Sequence, residues 1–96
     1  MPRRVPLEID VHIGQQLRAA RHGRKLSQKA VADQVGITWQ QLQKYESGGN
    51  RVSGSRLYNL ARALNVSILF FYAGLPGYED VPSPFPKIGA RKRVQK

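Results

Sequence analysis

The sequence has no cysteine, only two histidines and only six acidic residues among its 96. Without cysteine there is no disulfide framework, no thiolate nucleophile and no Cys-ligated zinc, so a domain of this size has to be held by ordinary packing. His12 and His22 fit no metal-ligand spacing. Nor does the chain offer a paired acid and base, a phosphate-cradling loop or any other metal constellation, so it is read as a non-enzyme with no cofactor. It also lacks a run near the roughly 18 to 20 apolar residues that a membrane-spanning helix needs. The opening Met1-Pro2-Arg3-Arg4-Val5-Pro6 leads into no continuous apolar signal segment. A soluble, unexported, cytoplasmic protein without a membrane partner is therefore expected.

What the sequence has in excess is positive charge. Sixteen Lys and Arg against six Asp and Glu give a formal +10, on a chain long enough for one small domain. Residues 1–9 contribute +1, and residues 76–96 contribute +3 from five bases and two acids. Residues 10–75 hold nine bases against three acids, a net +6. Most of the excess thus belongs to the folded part. A basic globular body points to a polyanionic partner, with nucleic acid ahead of a membrane surface.

Proline and glycine divide the chain. Pro76, Pro82, Pro84 and Pro86, with Gly74, Gly77 and Gly89, interrupt helices and central strands. The expected organisation is a basic arm over 1–9, a domain over 10–75, and a Pro-rich basic tail over 76–96, read as disordered. Within the domain the apolar spacing is helical. Asp10 is placed to cap a first helix with Ile13, Leu17 and Ala20 on one face, ending in the His22–Lys25 region. Ser27 caps a second helix, stopped by Gly36. Thr38 opens a third with Gln41 three residues on, the capping-box pattern in which each side chain satisfies the other's backbone N–H. A fourth runs from about Ser53 through Leu57, Leu60, Ala61 and Leu64, and a short fifth follows Ser67 from Ile68 to Tyr72. The prediction is all-α: a compact bundle of five short helices.

The second and third segments have a specific spacing. Two helices crossing steeply over a short turn need a small residue at the crossing, a left-handed residue in the turn, and apolar side chains at fixed inward positions. Counting Gln28 as the first position, Ala32 is fifth and Gly36 ninth, while Val31, Val35, Ile37, Leu42 and Tyr45 fall on inward places. At these residues the chain resembles the phage repressor and Cro type of helix-turn-helix regulators, the lambda-repressor-like or xenobiotic-response-element family. The resemblance extends through Tyr45-Glu46-x-Gly48, Arg51-Val52-Ser53 and Leu57-x-x-Leu60-Ala61-x-x-Leu64-x-Val66-Ser67. It implies a five-helix domain whose third helix lies in the major groove of double-stranded DNA, working as a homodimer on a palindromic operator. A repressor of bacterial or phage-like kind, associated with the nucleoid, is the expected protein.

Chemistry assigns roles to individual residues. Gln suits bidentate hydrogen bonding to adenine, and Lys44 can reach guanine or a phosphate. The resemblance implies base reading by Trp39, Gln40 and Lys44, and the polar third-helix set adds Gln43. Trp39 has two readings, a contact with a thymine methyl or a packing anchor. Phosphate contacts are expected from Gln28 and Lys29 at the start of the second helix, where exposed N–H groups favour an anion. Thr38, Gln41, Asn50, Arg51, Ser53, Ser55 and Arg56 complete that set. Thr38 and Ser53 are caps first.

The resemblance also implies an ion pair between Arg21 and Glu46 that joins two helices, with ~3 kcal/mol at stake if it is partly buried. Ile68 to Tyr72 is five apolar residues in succession, more than one helix face can bury. Leu69 and part of Phe70 or Tyr72 are therefore expected at a dimer contact. The alternative to the regulator is an antitoxin-like or adaptor module that grips a protein partner through its tail, with DNA binding auxiliary.

Overall fold

Nearly every helix begins where a side-chain oxygen accepts one of the backbone N–H groups that a first turn leaves unpaired. In the computed structural model, which describes residues 8–82, 84 and 85, the Ser27 hydroxyl accepts from Ala30 N–H at 3.0 Å and opens α2, Gln28–Val35. Thr38 does the same for Gln41 at 3.1 Å and opens α3, Trp39–Ser47. Ser53 accepts from Arg56 at 3.1 Å and opens α4, Gly54–Leu64. α1, Glu8–Gly23, departs from expectation. It starts two residues before Asp10, which is not its cap but a buried residue of its first turn. There the Asp10 carboxylate takes the Arg51 Nε–H at 3.3 Å. Of the arm expected over 1–9, residues 8 and 9 belong to α1, and residues 1–7, 83 and 86–96 lie outside the described residues.

All four helices end alike. The residue after the last turn is left-handed, and the next N–H reaches back five residues to a helix carbonyl, which satisfies groups the helix would otherwise orphan. Gly36 (φ 76°) and Gly48 (φ 81°) supply this conformation where glycine is expected. Lys25 (φ 58°) and Asn65 (φ 55°) supply it without glycine. At Lys25 two backbone bonds hold the turn, Lys25 N–H to His22 O at 3.0 Å and Leu26 N–H to Arg21 O at 3.1 Å.

The core gathers one face of each helix. Leu17, Val31, Leu42, Leu60, Leu64 and Phe71 are fully buried, each stabilising by about 1.5–3 kcal/mol through burial. α1 packs on α3, and α2 packs on both α3 and α4. Where α1 crosses α3 the backbones nearly touch. A Cβ on Gly14 would stand 2.5 Å from the carbonyl oxygens of Tyr45 and Glu46, so only glycine fits. Val35 and Ile37 sit at the margin of this core, half-buried.

The expected fifth α-helix is a 3-10 helix, Ile68–Tyr72, capped by Ser67. Its tighter winding buries Phe70 and Phe71 and leaves Ile68 and Leu69 outside. Two α1 side chains hold its far end. Gln16 Nε2 donates to the Phe70 carbonyl at 2.9 Å, and His12 Nε2 to the Ala73 carbonyl at 2.8 Å. These bonds take the place that a further helical turn would fill. Contacts continue beyond Leu75, with Tyr78 N–H bonded to Leu75 O at 2.8 Å and Phe85 packed against the core.

Candidate nucleic-acid interface

α3 is divided lengthwise. Leu42 and Tyr45 point into the core, whereas Trp39, Gln40, Gln43 and Lys44 are exposed. Trp39 leaves 45% of its surface open and stands beside Gln40 at the start of the helix. Four long side chains, one an indole, two amides and one a cation, therefore project together from one face. Amides and a cation match the donor and acceptor edges of base pairs in a major groove.

The helix carrying them is fixed at its other end by a buried ion pair. Arg21 Nε and Nη2 donate to Glu46 Oε2 at 2.7 Å and Oε1 at 3.1 Å, a two-bond fork with both side chains shielded from solvent. Arg21 also donates to the Leu26 carbonyl at 3.0 Å, so one guanidinium ties α1 and its terminal turn to α3. Gln28 Nε2 brings a third donor to the Glu46 carboxylate, donating to Oε1 at 3.2 Å. The amide expected at a phosphate is thus engaged within the fold, and it links α2 to α3.

Other expected contacts are also partly committed. Thr38 and Ser53 are caps, as their sequence context implies. Gln41 does not complete the capping box. Its side chain turns along the helix and donates to the Tyr45 hydroxyl at 3.2 Å, because Tyr45 brings a buried oxygen within reach one turn later. Lys29 pairs with Asp33 at 3.0 Å in the open, and Arg56 Nη1 donates to the Val35 carbonyl at 3.0 Å. Arg51 holds Asp10 through Nε while 61% of its side chain stays exposed, leaving the rest of the guanidinium accessible. Ser55 is exposed, Asn50 is half-buried, and the Ser53 and Ser55 hydroxyls lie 3.5 Å apart.

Sequence reasoning missed Arg18. It is exposed on α1 and lines a shallow cleft with Gln28, Gln43, Glu46 and Ser47, which brings a cation from α1 beside the open face of α3. Its signal was present, since Arg18 precedes Arg21 by one helical turn and shares its side of α1.

At the expected dimer contact, Leu69 is 44% exposed and Tyr72 half-buried. Phe70 is corrected. It is 5% exposed and packs edge-to-face on Phe71, so its ring belongs to the core of the single chain. Among the described residues, no helix is long and apolar enough to cross a membrane.

A model of the helix-turn-helix family matches residues 17–71, a stretch that contains α2, the turn and α3. The chain belongs to the lambda-repressor-like helix-turn-helix family. This helix-turn-helix chain is 46% identical over 72 residues to an HTH-type transcriptional regulator of Sinorhizobium medicae, covering 75% of this chain and 52% of that protein. It is also 46% identical over 67 residues to a transcriptional regulator in the ATPase CF(0) region of Rhodospirillum rubrum, covering 70% and 62% respectively. The chain spans about half the length of the curated relatives it matches. Among solved structures, it resembles the restriction-modification controller protein C.AhdI from Aeromonas hydrophila with TM-score 0.61 and 31% identity, over 64% of this chain and 92% of that one.

Proposed function

We propose that this helix-turn-helix chain is a sequence-specific regulator of transcription that lays α3 in the major groove, and that it acts as a repressor. The observation that carries the reading is the division of α3. One side is fixed by Leu42, Tyr45 and the buried Glu46, and the other presents Trp39, Gln40, Gln43 and Lys44 to solvent. Gln40, Gln43 and Lys44 read base edges, and the indole of Trp39 packs on a thymine methyl. Lys29, Arg51, Ser55, Asn50 and the newly placed Arg18 flank this face and follow phosphates. Gln28 and Arg56 serve the fold first, with their remaining N–H groups available at the rim. A homodimer formed through Leu69 and the open edge of Tyr72 would set two copies of α3 in successive grooves about 34 Å apart, on a palindromic operator. Bound there, it would exclude polymerase from an overlapping promoter.

Selection of bound duplexes from random genomic fragments, titrated at several salt concentrations, tests this directly. Enrichment of one palindromic sequence is expected, with a salt slope that grows by about 0.9 for each phosphate neutralised. Gln40→Ala should change which sequence is enriched, whereas Arg51→Ala should weaken all duplexes alike. Retention of all fragments in proportion to their length would overturn sequence reading and leave the protein-interaction module as the better account. Sedimentation that finds only monomer at high micromolar concentration, with and without operator, would remove the dimer.

A further inference from the structure

The first turn of α1 is pressed against the end of α3. A Cβ on Gly48, which closes α3, would stand 2.9 Å from the Val11 Cα, and Gly14, one turn along α1 from Asp10, is the residue that meets the Tyr45 and Glu46 carbonyls. Asp10 lies on the side of α1 that this contact covers, and it is buried. The loop from α3 to α4 starts beside it. Gly49 N–H and Asn50 N–H both donate to the Lys44 carbonyl, at 2.9 and 3.3 Å, and Val52 packs against the core. The backbone on either side of Arg51 is therefore held, while its long side chain still has several torsions to set.

One bond sets them. Arg51 Nε donates to Asp10 Oδ2 at 3.3 Å, with 61% of the arginine side chain and 8% of the aspartate side chain exposed. Two other arginines are used differently. Arg21 places Nε and Nη2 on the Glu46 carboxylate, and Arg24 places the same two groups on the Leu64 and Asn65 carbonyls. Among the described residues, Arg51 is bound through Nε alone. Its Nη groups stay open on a rigid plane that the carboxylate orients, and two such groups side by side match a pair of phosphate oxygens.

We infer that Asp10 is a positioning residue for DNA binding: it fixes the Arg51 guanidinium so that the Nη edge meets a backbone phosphate already ordered. The inference rests on the DNA-binding reading of α3 and on Arg51 as a phosphate contact. It has the opposite sign to simple electrostatics. A carboxylate close to the DNA backbone repels it, so loss of the charge alone should tighten binding. Loss of the anchor leaves Arg51 to be immobilised on binding, which costs about three- to tenfold in affinity.

The test uses the full chain with Asp10→Ala, Asp10→Asn, Arg51→Ala or Arg51→Lys, and with Asp10→Ala and Arg51→Ala together. Anisotropy titrations on the selected operator and on a scrambled duplex are repeated across a salt series, at a temperature where circular dichroism shows each variant folded. Asp10→Ala should weaken binding about threefold or more on both duplexes and keep the salt slope, since the cation still reaches its phosphate. Asp10→Asn removes the same charge but keeps an oxygen for the Nε–H, and should recover most of the loss. Arg51→Ala should lower the slope by about 0.9, and adding Asp10→Ala to it should weaken binding no further. Arg51→Lys keeps the charge without the fork, and should lose about as much affinity as Asp10→Ala at an unchanged slope. It leaves α1 untouched, so it keeps the proposal testable if Asp10→Ala melts too low. An Asp10→Ala variant that binds as well as the parent or better overturns the proposal. So does equal weakening by Asp10→Ala with and without Arg51, which would make Asp10 a residue of the fold only, and so does an Arg51→Lys variant that binds like the parent. These results leave the reading of bases by α3 intact, since Gln40→Ala tests that separately. If the full chain binds neither duplex, the DNA reading fails together with the positioning role, an outcome distinct from the others.

Discussion

The stretch from Ser27 to Gly48 and the stretch from Ser67 to Tyr78 are both held in place, but by opposite means. In the first, most fixing contacts are local. Ser27 and Thr38 cap from three residues away, and Gly36 and Gly48 end their helices within the next turn. Two long-range side-chain bonds, Arg21 on Glu46 and Arg56 on the Val35 carbonyl, are added to them. In the second, the local pattern is a five-residue 3-10 helix, and the fixing comes from afar. His12 reaches Ala73 across 61 residues, and Gln16 reaches Phe70 across 54. Local caps make a rigid platform under the four exposed side chains of α3. Distant side chains hold a segment whose own backbone forms only five residues of 3-10 helix.

Substitutions can break or sharpen this contrast. The largest effect is expected at the buried ion pair that ties the motif to α1. Glu46→Ala should cost about 3–5 kcal/mol in urea unfolding, because it strands the buried Arg21 and removes the acceptor of Gln28. A variant that unfolds like the parent would mean that the caps alone hold α3. Gly14→Ala comes next, at about 2–3 kcal/mol, since the added carbon meets two backbone carbonyls that cannot move separately from α3. Its near-ultraviolet signal from Trp39 and Tyr45 should change as α1 is pushed outward.

Smaller effects separate the two regions more finely. Gln16→Ala should cost about 1 kcal/mol by removing the side-chain donor to the Phe70 carbonyl, which keeps only the Ala73 N–H, and amide exchange should rise between Ile68 and Ala73 while α3 stays protected. Thr38→Ala should cost about 1 kcal/mol, with faster exchange confined to the first turn of α3. If Gln16→Ala also loosened α3, the two regions would be one cooperative unit. Asp33→Ala should shift stability by no more than about 0.5 kcal/mol, since its pair with Lys29 is open to solvent.

Legibility in the sequence followed the same division. Ser27, Thr38 and Ser53 could be read as caps because a cap is a contact over three residues. The inward positions from Val31 to Tyr45 were readable because helical spacing fixes a face. Less legible were side chains with more than one available partner. Asp10 had the composition of a cap and became the acceptor for Arg51, 41 residues away. Gln41 had the spacing of a capping box and chose Tyr45. Gln28 was chosen for a phosphate and donates to Glu46. Lys25 and Asn65 end helices without the glycine that marks such a stop, because backbone bonds outweigh the modest cost of a left-handed side chain.

By itself, the sequence determined what depends on residue type and short spacing: the helical class, most of the caps, the core faces, the +10 charge, and the polar outer face of Gln40, Gln43 and Lys44, while the exposure of Trp39 was settled only by the structure. Tertiary structure decided which polar groups were already engaged, since a donor takes whichever acceptor folding brings within 3 Å or so. It also decided that Phe70 is core while Leu69 is surface, because a tighter helix rotates neighbours to different sides. Gly14 gained its meaning only there, since the value of a missing side chain depends on what comes to occupy its space.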